Sequence, residues 1–320
     1  MITNEQKELK AGRLGASQVA AALGLSPFQT PAQLAMEILG RIPPQVENDA
    51  MRGGNIMEPA IAKLYTSQTG IDIFPDNKTY THPEYDWLIC HPDYYKPCGL
   101  ESRTLIEIKN VGARQRYRWD DGVPVHVVAQ VVLQSLLTGC TDVEVVAFFG
   151  GWEVEIFPLT ITEKQQESLL YKVAAFWVDW IEKNMIPPVC DKDLEMIKTL
   201  YPSSDNVQEA TATPKVMEDV KSFREYKILR NQMDKTIGTL EAKIRLMMGG
   251  SAILLNPDGT REFTYKQAKP SVKTDWENMV LELCDEYEVD SLRYDNFLNK
   301  NTKTKEGSRR FLDKHVYDKN

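Results

Sequence analysis

Apolar positions change their spacing several times along the chain, and each change marks an element. Near the N-terminus "SQVAAALG" gathers small apolar residues behind Ser17 and ends at Gly24, which predicts a short helix with Ser17 as its N-cap. "TPAQLAMEILG" predicts a second, with Thr30 as cap, Pro31 in the first turn and Gly40 past the end. Residues 56–69, "IMEPAIAKLYTSQT", predict a longer helix that stops at Gly70. The pattern then shortens. "WLICHP" and "TLIEIKN" are brief and rich in β-formers, with "KPCG" as the turn between them. "VPVHVVAQVVLQSLLTG" is too long for a strand; framed by Pro124 and Gly139 and apolar on most sides, it predicts a buried helix. "DVEVVAFFGGWEVEIFPL" predicts a hairpin turning at Gly150 and Gly151, and "TEKQQESLLYKVAAFWVDWIEKN" a long amphipathic helix.

This order of helices, strands, buried helix, strands and helix predicts an α/β core with a mixed central sheet flanked by helices, over residues 1–200. The polar stretch 201–214, "YPSSDNVQEATATP", reads as a linker. Residues 215–320 read as a helix-rich C-terminal region: a charged helix from Lys215 to Met248, a hairpin in "AILLNPDGTREFTY", and further helix. The apolar spacing of Val220, Phe223, Ile228, Ile237, Leu240 and Ile244 is irregular for a coiled coil.

Composition narrows the class without naming a function. A hydrophobic share of 42% and a charged share of 26% suit a soluble globular chain. Without an apolar run of about 18 residues, a membrane span is not expected, and the polar N-terminus points to the cytoplasm. The 5 cysteines are scattered and the 4 histidines unpaired, which argues against a disulfide framework, a zinc ribbon or a His-rich metal site. A net charge of −8 argues against a non-specific nucleic-acid coat, yet leaves room for a local basic groove. Two stretches are basic: residues 103–118, with Arg103, Lys109, Arg114, Arg116 and Arg118 against Glu107, and the tail from Lys300 onward. Arg114, Arg116 and Arg118 with Tyr117 and Trp119 suit a duplex backbone and an exposed base, although the same loop could simply be solvated.

The candidate chemistry lies in "LIEIKN", residues 105–110. In a strand Glu107 and Lys109 share one face, while Ile106 and Ile108 turn to the other. An isolated pair of this kind is usually a salt bridge on a solvated sheet. Here "HPDYY" lies upstream, and a hairpin can bring Asp93 beside Glu107. Two carboxylates held together repel unless a cation joins them, and hard oxygen ligands suit Mg²⁺ or Mn²⁺. Lys109 would then stand beside an attacking water, an arrangement suited to metal-assisted phosphodiester hydrolysis. On the buried helix, His126, Gln130 and Gln134 recur every four residues as one polar stripe, which favours a polar cleft.

These residues resemble the PD-(D/E)xK nucleases and, within them, the YqaJ-type phage recombination exonucleases related to lambda exonuclease. The resemblance spans about residues 8–180 and rests on "GRLGASQVAAALGLSPFQTP", on "GGNIMEP", on "HPD" with "LIEIKN", and on "AQVVLQSLLTG". It implies a restriction-endonuclease-like core. Asp93 and Glu107 would be the principal metal ligands with the Ile108 carbonyl, Glu58 would assist, and the cofactor would be Mg²⁺ or Mn²⁺, two ions to a site. Lys109 would activate the water, Gln130 would bond within the site, and Ser17 would lie near the pocket for a 5′ phosphate.

The chain departs from the family pattern in places. Lys10 stands where the family usually has an arginine, with Arg13 between it and Ser17; His91 replaces a serine before Pro-Asp; Val132 replaces a second glutamine, although Gln134 is retained. Lysine keeps the charge but not the planar fork for a phosphate. The implied function is Mg²⁺-dependent 5′-to-3′ digestion of double-stranded DNA from its ends, leaving 3′ single strands for recombination in the bacterial host of a phage or prophage. The implied partners are a single-strand annealing protein and further copies in a ring-shaped homo-oligomer, a trimer; residues 215–320 are available for oligomer, DNA or partner contact. The alternatives are a sequence-specific endonuclease on the same core and a non-catalytic DNA-binding or assembly protein.

Overall fold

The computed structural model describes residues 12–44, 46, 48–99, 102–203, 209–268, 270–271 and 273–302. The chain forms two compact units, Met1–Pro202 and Ser203–Asn320. The first runs β1 (Leu14–Gly15), a 3-10 turn (Ala16–Gln18) leading into α1 (Val19–Ala22), α2 (Pro31–Ile38), α3 (Asp49–Thr69), β2 (Phe74–Pro75), β3 (Tyr80–Thr81), β4 (Leu88–Cys90), β5 (Tyr94–Pro97), β6 (Arg103–Asn110), a 3-10 segment (Ala113–Trp119), α4 (Val125–Thr138), β7 (Asp142–Phe148), β8 (Glu155–Thr160), α5 (Glu163–Phe176) with a π turn (Trp177–Ile181), and α6 (Leu194–Leu200).

Five strands form the main sheet in the order β2-β5-β6-β7-β8. The β6–β7 pair is parallel and its neighbours are antiparallel, so the sheet is mixed as the sequence predicts. Side chains alternate across it. Leu105, Val143 and Val145 pack into one core with Val131 and Leu133 of α4 and Val173 of α5. Ile106, Ile108 and Val146 pack into a second core with Ile61, Ala62 and Tyr65 of α3. Each such side chain removed from water contributes about 1.5–3 kcal/mol. Helices on both faces explain why Glu107 and Lys109 do not lie on a solvated sheet. A smaller sheet, in the order β1-β4-β3, carries the segment leading to Asp93.

Local chemistry sets most boundaries. Thr30 Oγ1 accepts the Gln33 N–H at 3.1 Å, and Pro31 opens α2. The same hydroxyl donates to buried Asp193 Oδ1 at 2.6 Å, which fastens the end of this unit to α2. Gly70 and Gly139 end α3 and α4 with φ of 71° and 72°, a conformation that costs glycine little.

Three expectations need correction. Ser17 lies inside the 3-10 turn and Gly15 takes the cap position, because the backbone leaves β1 directly into the turn. Helix α3 starts at Asp49, well before residue 56, because the Asn48 side chain accepts the Met51 N–H at 2.9 Å and the helix runs on through Gly53 and Gly54. Lys96 and Pro97 belong to β5, whose pairing with β6 extends to Arg103 and moves the turn beyond them.

In the second unit α7 (Pro214–Met248) is one continuous helix, capped by Thr213 and started by Pro214. An antiparallel hairpin of β9 (Ile253–Leu255) and β10 (Arg261–Thr264) follows, then α8 (Trp276–Glu286) and α9 (Ser291–Asn301). Among the described residues no helix is long and apolar enough to cross a membrane.

Candidate active site

Strand β6 supplies the centre of the site. Tyr94 pairs with Ile106 across the β5–β6 ladder, so Asp93, at the head of β5, falls beside Glu107 and Ile108. Its Oδ2 accepts the Ile108 N–H at 2.8 Å. Glu107 is 2% exposed. Its Oε1 accepts from Lys109 Nζ at 2.5 Å and from Gln130 Nε2 at 2.6 Å. Its Oε2 accepts from Gln134 Nε2 at 2.7 Å. Gln130 closes the ring, because its Oε1 accepts from Lys109 Nζ at 3.0 Å. A carboxylate only accepts and an ammonium only donates, so both glutamine amides have one workable orientation. The polar stripe of α4 thus lands on the carboxylate of β6. Gln134 adds a cost: among the described residues its buried Oε1 has no donor, worth about 1–3 kcal/mol.

The electrostatics set this cluster apart. Burial pushes the Asp93 carboxyl well above the usual carboxylate range, and repulsion from Glu107 and Glu58 adds to it; Lys109 and the Ile108 N–H act in the opposite direction. Burial pulls the Lys109 ammonium down, but Glu107, Asp93 and Glu58 more than compensate and raise it above an ordinary lysine. Glu58 of α3 therefore acts by charge on both members of the centre. His126 of α4 is lowered by burial and by the positive charges of Lys109 and Arg118, which favours a neutral imidazole. Among the described residues no three His, Cys, Asp or Glu side chains gather as a metal-holding group. The ladder puts the carboxylates of Asp93 and Glu107 side by side, with the Ile108 carbonyl on the strand between Glu107 and Lys109. Such hard donors suit Mg²⁺ or Mn²⁺, which commonly take one or two carboxylates and keep several waters.

The predicted phosphate-binding residues are more dispersed. Lys10 and the basic tail beyond residue 302 lie outside the described residues. Arg13 is half-buried just before β1, and Ser17 is exposed on the 3-10 turn that packs against α4 and β4. His91 Nε2 bonds with Thr79 Oγ1 at 2.9 Å. Arg114, Arg116 and Arg118 are all exposed. Arg116 forms an ion pair with Glu155 and lies 4.7 Å over the Phe149 ring. Arg118 Nε donates to Tyr117 Oη at 3.1 Å. Trp119 corrects an expectation: it is buried against Phe149 and Phe157, so it anchors the segment instead of offering a face to a base. Gln134 was visible in the sequence as part of the stripe but was not among the expected site residues; its spacing from Gln130 is the signal that points to it. The Thr79 contact has no such signal.

Geometry of this kind, two carboxylates and an ammonium on adjoining strands of a mixed sheet, defines a candidate hydrolytic centre. Residues 5–141 match the family described as the YqaJ-like viral recombinase domain, which bears out the resemblance read from the motifs. Protein YqaJ of Bacillus subtilis (strain 168) is 24% identical over 120 residues, and the match spans 37% of either chain, little more than a third of that relative's length. Among solved structures, the chain is similar to the alkaline exonuclease LHK-Exo of Laribacter hongkongensis, seen in complex with dAMP, at 18% identity and a TM-score of 0.49, over 62% of this chain and 97% of that one. It is also similar to a phage-related exonuclease of Haemophilus somnus 129PT at 10% identity and a TM-score of 0.42, over 54% and 95%.

Proposed function

We propose that the chain is a metal-dependent deoxyribonuclease, a phage-type exonuclease acting on double-stranded DNA ends. The observation that carries this reading is the ring of Glu107, Lys109 and Gln130 with Asp93 beside it. Asp93 and Glu107, with the Ile108 carbonyl and Glu58, would hold Mg²⁺ or Mn²⁺, one ion or two. When bound, such an ion offsets phosphate charge and makes water a better nucleophile. The chain's own groups do the rest. Lys109 donates a hydrogen bond to the attacking water and holds it in line with the phosphorus. The Gln130 carbonyl keeps that ammonium in place, and its amide keeps Glu107 turned toward it. Arg13, Ser17, Arg114 and Arg118 would meet phosphates, as would Lys10 and His91; Arg116 would first have to leave Glu155.

Polarity from 5′ to 3′, 3′ single-stranded products, a trimeric ring, an annealing-protein partner and a place in the bacterial cytoplasm follow from the likeness to YqaJ-type proteins and form the finer part of this proposal. The test is digestion of linear duplex DNA labelled at either the 5′ or the 3′ end, with Mg²⁺ or with EDTA, beside closed circular DNA. Early release of the 5′ label, only with Mg²⁺ and only from linear DNA, is expected. Cleavage of the closed circle would establish an endonuclease instead, and early release of the 3′ label would reverse the polarity.

A further inference from the structure

We propose that Gln134 is a positioning residue whose amide fixes how the Glu107 carboxylate is turned toward Lys109 and Asp93. This inference rests on the nuclease reading above. Gln134 is 1% exposed, on a helix whose neighbouring residues Val131 and Leu133 are also buried. Its Nε2 donates to Glu107 Oε2 at 2.7 Å, and its buried Oε1 has no donor among the described residues. A carbonyl left in that state works against folding. A methionine or leucine would fill the same space but leave the buried Glu107 Oε2 without its donor, so the glutamine moves the unpaired oxygen from the carboxylate to its own carbonyl.

What the amide does supply is asymmetry. Lys109 and Gln130 both bind Oε1 of Glu107, and neither bonds to Oε2. Gln134 alone among the described residues holds Oε2, from the helix side. With both oxygens engaged from different directions, the carboxylate cannot turn about its last bond. Removing Gln134 leaves the carboxylate tethered through one oxygen and free to swing, and the Lys109 and Gln130 contacts move with it. Partners that orient a ligating side chain in this way typically change metal affinity or activity by about 10–100-fold.

The experiment uses the full chain and its Gln134→Met and Gln134→Leu variants, with Glu107→Gln beside them. Three quantities are read: the melting temperature in EDTA, the affinity for Mn²⁺ alone by isothermal titration calorimetry, and cleavage of linear duplex DNA. Both Gln134 variants are expected to stay folded in EDTA, to bind Mn²⁺ about tenfold more weakly, and to cleave more slowly with KM for DNA unchanged. Native Mn²⁺ affinity and native cleavage in both variants would overturn the proposal. So would failure of both to fold in EDTA, since the glutamine would then be structural. Glu107→Gln separates the two levels. If it abolishes Mn²⁺ binding and cleavage while the Gln134 variants keep both, only the role of Gln134 is lost. If it too keeps both, the site assigned to Glu107 falls; if the native chain neither binds Mn²⁺ nor cleaves duplex DNA, the nuclease reading falls.

Discussion

Two carboxylates on adjacent parallel strands, buried Glu107 and half-buried Glu144, meet the same kinds of partner and end in different chemistry. Glu144 of β7 lies opposite Ile106 in the ladder and therefore on the other face of the sheet from Glu107. It forms an ion pair with Lys96 of β5, with side chains 14% and 17% exposed. It also accepts from Tyr65 Oη at 2.7 Å. Burial, with the Glu144 bond and charge, pushes the Tyr65 phenol above its usual range and keeps it a donor. One negative charge therefore meets one positive charge and a neutral hydroxyl. Around Lys109, by contrast, three carboxylates act on a single ammonium: Glu107, Asp93 and Glu58. An ammonium–carboxylate contact is thus common bracing for a sheet. It becomes a candidate site where carboxylates outnumber the ammonium and the surplus raises Asp93.

The sharpest way to break this contrast is to remove the two lysines in turn. Lys109→Ala is expected to slow cleavage of linear duplex DNA by about 10²–10⁴-fold, the usual share of a positioned acid or base, with native circular dichroism. Lys96→Ala should leave the rate unchanged. An equal loss in both, followed by rate measurements at saturating Mg²⁺, would erase the distinction.

A second effect has the opposite sign. The folded chain holds the Asp93 proton more tightly than the unfolded chain does, because its pKa is raised. That stabilisation is complete below the ordinary aspartate value of about 3.9 and is lost as pH rises through the raised folded value. In EDTA, Asp93→Asn should therefore melt higher than the native protein at neutral pH and show a flatter dependence of melting temperature on pH, while losing activity. Scanning calorimetry across pH 4–8 reads this directly, and a variant that melts lower at neutral pH would contradict the charge surplus.

The smallest effect belongs to the braced side. Glu144→Gln leaves Tyr65 an acceptor and lets Lys96 turn toward water, so about 1–2 kcal/mol of stability should be lost in urea titration. Cleavage should not change; a loss comparable to that of Lys109→Ala would place Glu144 in the reaction.

Much of this was legible in the chain because it rests on short-range rules. The alternation in "LIEIKN" sends Glu107 and Lys109 to one face, and the four-residue spacing of Gln130 and Gln134 puts both amides on one side of a helix. Caps and glycines placed α2, the end of α3 and the whole of α4. What was not legible depends on partners far along the chain. Strand β5 escaped because Lys96 and Pro97 look like a turn until β6 pairs with them. Trp119 looked available until Phe149 and Phe157 enclosed it.

By itself, the sequence determined most of the longer elements, their order, and the faces on which the acid, the amine and the amides must lie, because backbone geometry repeats over a few residues. Only the tertiary structure decided that Asp93 arrives beside Glu107, that α4 rather than solvent covers that face, and that Gln134 leaves a carbonyl unpaired to hold one oxygen. Those outcomes depend on strand register and on which helix packs against which sheet face. Both are settled by the burial of side chains distant in the chain, and no local pattern encodes them.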